Sequence, residues 1–161
     1  MRMTFWTRPW LQKPGALILA CFFWLAASGL VTPGFGAEVI QLPAQTVGPG
    51  QVKVIVTVAL PPGHKLNPEA PSSLILSSQD QGVLQVQEKF AGTLTAAKLP
   101  VTLTVPAKEG KTTLQAEFKL NFCDDKMGLC FLRDATVQLP VEVAPGAQGH
   151  ELHLLYEVKN P

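Results

Sequence analysis

The sequence predicts an all-β protein: an immunoglobulin-like antiparallel β-sandwich of about eight strands that follows an N-terminal signal segment. From residue 38 onward, apolar and polar residues alternate with a period of two, and Pro and Gly separate the alternating stretches. No window shows a sustained helical period of 3.6 residues. One apolar face per strand is what two packed sheets require, and 161 residues leave room for one ordinary domain.

Four long stretches alternate most clearly, with apolar side chains at every second position. They are residues 51–60, 113–122, 135–143 and 152–158. Pro140 has no amide hydrogen, so we expect the third of these strands to be a sheet edge or to contain a bulge. Shorter strands are predicted at 38–42, 73–78, 83–89 and 101–105.

The segment before this domain has a different composition. Residues 1–15 are basic and free of acid, and residues 16–31 form an uncharged apolar run. Gly34 and Gly36 then place small residues two apart, which completes the pattern of a secretory signal peptide. We therefore predict a signal peptide at 1–36, export to the periplasm or secretion, and a single domain at 37–161. An uncleaved anchor is the alternative, although the apolar run is shorter than the roughly 20 residues of a spanning helix.

The charge balance argues against a nucleic-acid partner. Charged residues make up 16% of the chain, and the first 37 residues hold three of the 13 basic residues and no acidic one. The rest of the chain therefore carries a net charge of −2, which does not attract phosphate. Contact with a membrane is expected only through an uncleaved leader. The sequence has no Ser–His–Asp order, glycine-rich phosphate loop or carboxylate pair of a hydrolase or transferase, and we predict no cofactor and no metal.

The domain contains two cysteines, Cys123 and Cys130, which flank six residues between two alternating strands. We expect them at the mouth of a β-hairpin, with Gly128 able to supply a positive φ in the loop. In an exported protein such a pair indicates a disulfide. Closing a ring of eight residues stabilises by only about 2.5 kcal/mol in the chain-entropy model. A bridge at a loop end is also open to a partner thiolate. The residues alone leave a structural and a redox-active disulfide about equally open.

Asp124 and Asp125 follow the first cysteine and are predicted modulators of its reactivity. A carboxylate beside a thiol disfavours the thiolate and raises the thiol pKa. Lys126 partly offsets this effect. The alternative interpretation is that all three are solvated loop residues.

Several motifs occur in the order found in one known domain. They are PGHKL at 62–66, EKFAG at 88–92, LPVTL at 99–103, the hairpin from Cys123 to Cys130, and TVQLP at 136–140. Over roughly residues 50–143 the chain resembles the N-terminal periplasmic domain of the DsbD family of thiol:disulfide interchange proteins. Residues 60–71 and the GLCFL segment at 128–132 are also similar to the C-terminal β domain of NHL-repeat proteins that carry a thioredoxin-like domain.

The resemblance implies an active-site disulfide that cycles by exchange with a thioredoxin-fold protein or a membrane thiol–disulfide transporter. It matches Cys123 and Cys130 to the redox pair. It matches Phe90 to the aromatic residue that caps the disulfide, and Glu88 to an acidic residue near the cysteines. The chain departs from the family at Ala91, where a second cap aromatic is expected. Judged by its own surroundings, Phe90 is more typical of a core residue.

Two other patterns are weaker as sites. His150 and His153 have a spacing that suits a metal on a helix, but the alternation at 152–158 predicts a strand, in which these positions point to opposite faces. Cys123, Met127 and Cys130 offer soft ligands for Cu(I), which would require the thiols to stay reduced.

The sequence therefore predicts an exported thiol–disulfide exchange relay domain, a component of a thiol–disulfide oxidoreductase system. The alternative is a non-catalytic exported β-sandwich interaction module with a structural disulfide. The reducibility of the bond between Cys123 and Cys130 separates the two.

Overall fold

A computed structural model describes residues 37–86, 94–95 and 98–160, together with the backbone of residues 89–90. Ten β-strands are described. They are β1 (Glu38–Gln41), β2 (Gln45–Val47), β3 (Gly50–Ala59), β4 (His64–Leu66), β5 (Ser73–Ser78), β6 (Lys89–Phe90), β7 (Val101–Ala107), β8 (Gly110–Asp124), β9 (Cys130–Val143) and β10 (Glu151–Glu157). The predicted all-β class is confirmed.

The larger sheet is built on two long strands, β8 and β9. They pair antiparallel from Gly110 opposite Val143 to Cys123 opposite Cys130. β5 and then β6 extend the sheet beyond β8, while β4 pairs with the part of β8 that contains the first cysteine. On the other side, β1 and β2 pair in parallel with successive parts of β9. Four strands thus flank the hairpin on its two sides, with β6 beyond β5.

The smaller sheet has the order β10-β3-β7. β3 and β7 pair antiparallel, whereas β10 pairs parallel with β3. The two sheets form the predicted sandwich. Both are mixed rather than wholly antiparallel, because β1, β2 and β10 each join a neighbour that runs in the same direction.

The core lies between the two sheets and follows the predicted alternation. On β8 every second side chain from Thr112 to Phe122 is buried, and the residues between them are partly or fully exposed. Phe118 on β8 packs against Tyr156 on β10, with ring centroids 5.0 Å apart. Both side chains are about 1% exposed, so contacts of this kind close the sandwich.

The strand predicted at 83–89 does not form over residues 83–86, while residues 87–88 lie outside the described residues and Lys89 belongs to β6. The amides of Val83 and Leu84 both donate to the carbonyl oxygen of Asp80, which ends a turn at this point. Leu84 forms only an isolated bridge to Ala107, and the two residues of β6 follow. Val83, Leu84 and Val86 are buried nonetheless. These apolar residues contribute to the core from a turn and the irregular stretch after it rather than from a strand.

Pro140 neither bulges β9 nor marks it as a sheet edge, because it lies opposite Thr113 inside a continuous antiparallel pair and β1 and β2 pair with β9 on its other side. Hydrogen-bonded pairs alternate along such a ladder. Counting from the amide of Asp124, which donates to Leu129, the Thr113–Pro140 pair is not hydrogen-bonded. The Pro140 nitrogen therefore faces away from β8, toward the interval between the residues paired with β1 and those paired with β2. The missing amide hydrogen therefore lies where neither β1 nor β2 pairs with β9, and no ladder hydrogen bond is lost.

The predicted signal peptide at 1–36 lies outside the described residues. Within the part of the chain that the structure describes, no helix has the length and apolar character needed to cross a membrane.

Candidate functional site

The two cysteines form the last pair of the β8–β9 ladder, as the hairpin prediction requires. Their sulfur atoms are bonded in a disulfide, and their Cα atoms are 4.0 Å apart. The pair adjoins the hydrogen-bonded pair of Asp124 and Leu129, so it is of the close, non-hydrogen-bonded kind. Directly opposed Cβ atoms are what a cross-strand disulfide needs, and the alternation of both strands supplies them.

The loop beyond the disulfide is held by main-chain and side-chain hydrogen bonds. The amide of Asp124 donates to Leu129 at 2.8 Å, and the amide of Gly128 donates to the Asp124 carbonyl at 3.0 Å. Gly128 has a φ of +66°, the left-handed conformation expected of it. The Asp124 carboxylate accepts the amides of Lys126 and Met127, each at 2.7 Å. The loop is therefore ordered by its own first residue.

An aromatic cluster supports the core-facing side of the hairpin tip. Phe122 and Phe131 face each other across the two strands with ring centroids 5.7 Å apart. The His64 ring on β4 lies 5.7 Å from Phe122 and 6.0 Å from Phe131. Its Nδ1 is 3.2 Å from the Pro62 carbonyl, and its Nε2 is 3.8 Å from the Asp124 carboxylate. These contacts fix the strand ends from which the disulfide projects.

Asp124 thus belongs to the core-facing side of the tip, opposite to the disulfide. The amides of Met127 and Lys126 hold the pKa of the Asp124 carboxyl below its ordinary value. The charges of His64 and Lys126 lower this pKa further, while partial burial opposes the shift. Asp125 lies in the exposed loop, where its carboxylate meets the Lys65 ammonium at 2.8 Å. The effect of these two residues on the thiols stays a prediction.

The outward side of the tip carries the disulfide. Cys130 is exposed and Cys123 half-buried. β4 lines this side next to Cys123, because Lys65 lies directly opposite that cysteine in the ladder. Just beyond β4, Nδ2 of Asn67 points at Cys130 Sγ from 4.0 Å. The sequence prediction missed β4 and both of these neighbours.

Apolar side chains are unusually exposed around the disulfide. Met127, Leu129 and Leu132 have exposed fractions of 65%, 54% and 66%. Leu132 lies two residues beyond Cys130 on β9 and so shares its outward face. We call Met127, Leu129 and Leu132 the apolar rim. Leu129 is paired with Asp124 and Met127 lies in the loop, so the rim extends from the face of the disulfide around the tip. Large apolar side chains exposed near one another are typical of interaction sites.

The described contacts do not place Phe90, the predicted cap, or Glu88 against the disulfide. The backbone of Phe90 lies on β6, opposite Leu74 of β5, and Leu74 is in turn opposite Phe118 of β8. Nothing is described of the Phe90 side chain, and Glu88 lies outside the described residues. The roles of both residues stay predictions.

The two histidines near the C-terminus do not converge on a site. His153 lies in β10 as predicted, where its amide and carbonyl groups are bound by the side chain of Gln45 at 2.9 and 2.7 Å. Its Nε2 is 3.6 Å from Glu151. His150 precedes the strand, and its carbonyl accepts the Lys53 amide. Within the described ranges, no three His, Cys, Asp or Glu side chains group as metal ligands would.

Comparison with known proteins gives one partial similarity. No protein-family model matches the chain. The chain is similar to NHL repeat-containing protein 2 of Gallus gallus, with 24% identity over 116 residues. This match covers 68% of the chain and 16% of the relative, so the chain corresponds to a small part of that protein. The comparisons and the geometry together describe a disulfide-bearing β-sandwich domain with partial similarity to an NHL repeat-containing protein.

Proposed function

We propose that this chain is an exported thiol–disulfide exchange module that passes electrons between the Cys123–Cys130 disulfide and a thioredoxin-fold partner. The observation that carries the proposal is the position of the disulfide. It lies on the outward face of the hairpin tip, with Leu132 of the apolar rim on the same face and Met127 and Leu129 in the adjoining loop. A disulfide reacts with a thiolate only when one sulfur can be approached, and the exposure of Cys130 supports such an approach.

The fold offers little reason for a staple at this point. The hairpin is already aligned by fourteen register pairs, and the core on its other face is closed by Phe122 and its neighbours. A ring of eight residues contributes about 2.5 kcal/mol at most in the chain-entropy model. Folding does not explain the apolar rim either. Burying these three side chains inside the domain would stabilise the folded chain, yet they are exposed. A partner that covers the rim gives both features a purpose.

The proposed reaction conserves electrons between two dithiol–disulfide pairs. The thiolate of the reduced partner attacks one sulfur of the Cys123–Cys130 bond and forms an intermolecular disulfide. The other sulfur leaves as a thiolate and takes a proton from water. The second thiol of the partner then loses its proton to water and attacks the partner's own sulfur in the intermolecular bond. The sulfur of this chain leaves as a thiolate and takes up a proton, which leaves the partner oxidised and this chain as a dithiol. The reverse sequence oxidises this chain and reduces the partner.

A trapping experiment tests the proposal. The oxidised full-length chain is mixed with a reduced thioredoxin whose resolving cysteine is replaced by Ser, and adducts are separated without reductant. We expect a covalent adduct of one to one, which dithiothreitol dissolves. Thioredoxin that lacks its attacking cysteine is the first control and should give none.

A second control distinguishes this site from any exposed disulfide. Gln115 and Gln138 face each other eight residues from the cysteines and six from Leu132, on the same face of the same ladder. In a chain with Cys123→Ala and Cys130→Ala, the changes Gln115→Cys and Gln138→Cys move the bridge away from the rim. We expect the moved bridge to react more slowly with thioredoxin than the native one. If the native bridge forms no adduct while the chain stays folded, the domain is a stapled interaction module instead.

A further inference from the structure

We propose that Asn67 is a positioning residue that stabilises the thiolate form of Cys130 when the disulfide is open. The proposal rests on the proposed function, because it concerns the reactivity of the same pair. Its basis is the contact of 4.0 Å between Asn67 Nδ2 and Cys130 Sγ. A disulfide sulfur is a weak acceptor, whereas a thiolate carries a full charge and accepts a charge-assisted hydrogen bond.

The orientation of the Asn67 amide is fixed by two other hydrogen bonds. The backbone amide of Asn67 donates to the Asn121 carbonyl at 2.8 Å, which continues the pairing of β4 with β8. Its side-chain oxygen Oδ1 accepts the amide of Glu69 at 2.9 Å. With Oδ1 engaged in this way, the NH₂ group is the end of the side chain that faces Cys130. A donor held in place costs little conformational entropy when the thiolate forms.

Among the residues that the structure describes, the Asn67 amide is the hydrogen-bonding group directed at Cys130. On β4, the Lys65 ammonium is bound to Asp125 at 2.8 Å, and Lys65 lies opposite Cys123 rather than Cys130. The Asp124 carboxylate is bound to the loop amides and faces His64. Lys126 and Glu69 are exposed charges at the edge of the tip. A donor at Cys130 stabilises the thiolate more than the disulfide sulfur, so it favours the reduced form of the pair.

The test measures the thiol pKa values directly and needs no partner protein. The full-length chain is reduced with a phosphine, and the rate of alkylation by iodoacetamide is followed between pH 6 and pH 10. Trypsin cuts after Lys126, so mass spectrometry reports Cys123 and Cys130 on separate peptides from one sample. Each pH–rate profile gives one thiol pKa, and Cys123 serves as an internal control.

Two substitutions separate the donor from the turn. Asn67→Ala removes both, whereas Asn67→Asp keeps an oxygen for the Glu69 amide and replaces the donor by an anionic oxygen. We expect the pKa of Cys130 to rise by about 0.5 to 1 unit in Asn67→Ala and by more in Asn67→Asp. The pKa of Cys123 should change less in both variants. Circular dichroism verifies that each variant is folded.

A merely structural role predicts the opposite order. If the Asx turn were what mattered, Asn67→Asp would behave like the unchanged chain and Asn67→Ala would deviate most. That order, or a Cys130 pKa that does not change in either variant, would overturn the proposal. Adduct formation with thioredoxin is measured separately, so a failure of the exchange function and a failure of the Asn67 role give different results.

Discussion

The outward face of the β8–β9 hairpin is polar in the middle of the hairpin and carries apolar and sulfur-containing side chains at the tip. In the middle, apolar side chains such as Phe118 point inward and are buried, and outward positions such as Glu117 and Lys119 are polar and exposed. At the tip, the outward face carries the disulfide and Leu132, which is 66% exposed. The same two strands therefore contribute a buried core at one place and an exposed disulfide with apolar neighbours at another, the surface that we propose to be reactive. Stability and reactivity should respond to different substitutions.

The largest effect is expected in the middle of the hairpin. Phe118→Ala removes a side chain that is 1% exposed and packs on Tyr156, so we expect a loss of about 3–5 kcal/mol in the free energy of unfolding. Lys119→Ala, the next residue on the outward face, should change it by less than about 0.5 kcal/mol. Urea denaturation gives both values. Equal losses for the two variants would mean that the core does not lie where the structure places it.

The disulfide should matter less to stability than one core aromatic residue. We expect the double variant Cys123→Ala and Cys130→Ala to stay folded and to lose at most about 2.5 kcal/mol, because it opens a ring of only eight residues. The same denaturation measurement applies, with the oxidised chain as reference. A variant that fails to fold would show that the tip is a staple, and the contrast between tip and middle would disappear.

The apolar rim should affect exchange and not folding. Leu132→Ser is expected to slow adduct formation with thioredoxin by up to about tenfold, since about 1.4 kcal/mol of lost apolar contact corresponds to a factor of ten. Val39→Ser is the matched control, because Val39 is 61% exposed on β1 but lies beside Thr136, away from the disulfide. Equal rates of adduct formation for the two variants would show that the apolar rim does not contribute to exchange.

The smallest effect concerns the loop at acid pH. The pKa of Asp124 is lowered in the folded chain, so its ionised carboxylate stabilises the fold above the unfolded pKa of about 4. This contribution is lost as the pH falls through the lower folded value. Asp124→Asn removes the charge but keeps an acceptor for the loop amides. We expect its melting temperature to be slightly below that of the unchanged chain at pH 6, by a difference that shrinks as the pH falls below about 4. A difference that persists at low pH would contradict this sign.

Long alternating strands were predictable from the sequence because burial on one face imposes a period of two. β3, β8, β9 and β10 were identified in this way, and so was the hairpin that pairs Cys123 with Cys130. The direction of β10 relative to β3 was not predictable, since a strand shows the same alternation whether its neighbour is parallel or antiparallel.

The surroundings of the disulfide were the part that sequence reasoning missed. β4 has three residues and only Leu66 is fully buried, which is too short for a periodic signal. It pairs with β8 because β8 extends past the end of β5 and offers a free edge there. The Pro-Gly turn before His64 and the Asn67–Pro68 step after it are the local signals that could have indicated a short extended segment. Exposure of Leu129 and Leu132 emerges only from the folded chain.

The reduction potential of the Cys123–Cys130 pair tests the central claim most directly. The purified full-length chain with Cys21→Ser, which keeps Cys123 and Cys130 as its two cysteines, is equilibrated with dithiothreitol and glutathione buffers, and the fraction of free thiol is measured together with circular dichroism. We predict a potential above about −300 mV, because structural disulfides typically lie below that value, and we predict reduction without unfolding. A potential below it, or reduction only when the chain unfolds, would contradict the exchange function and leave a stapled interaction module.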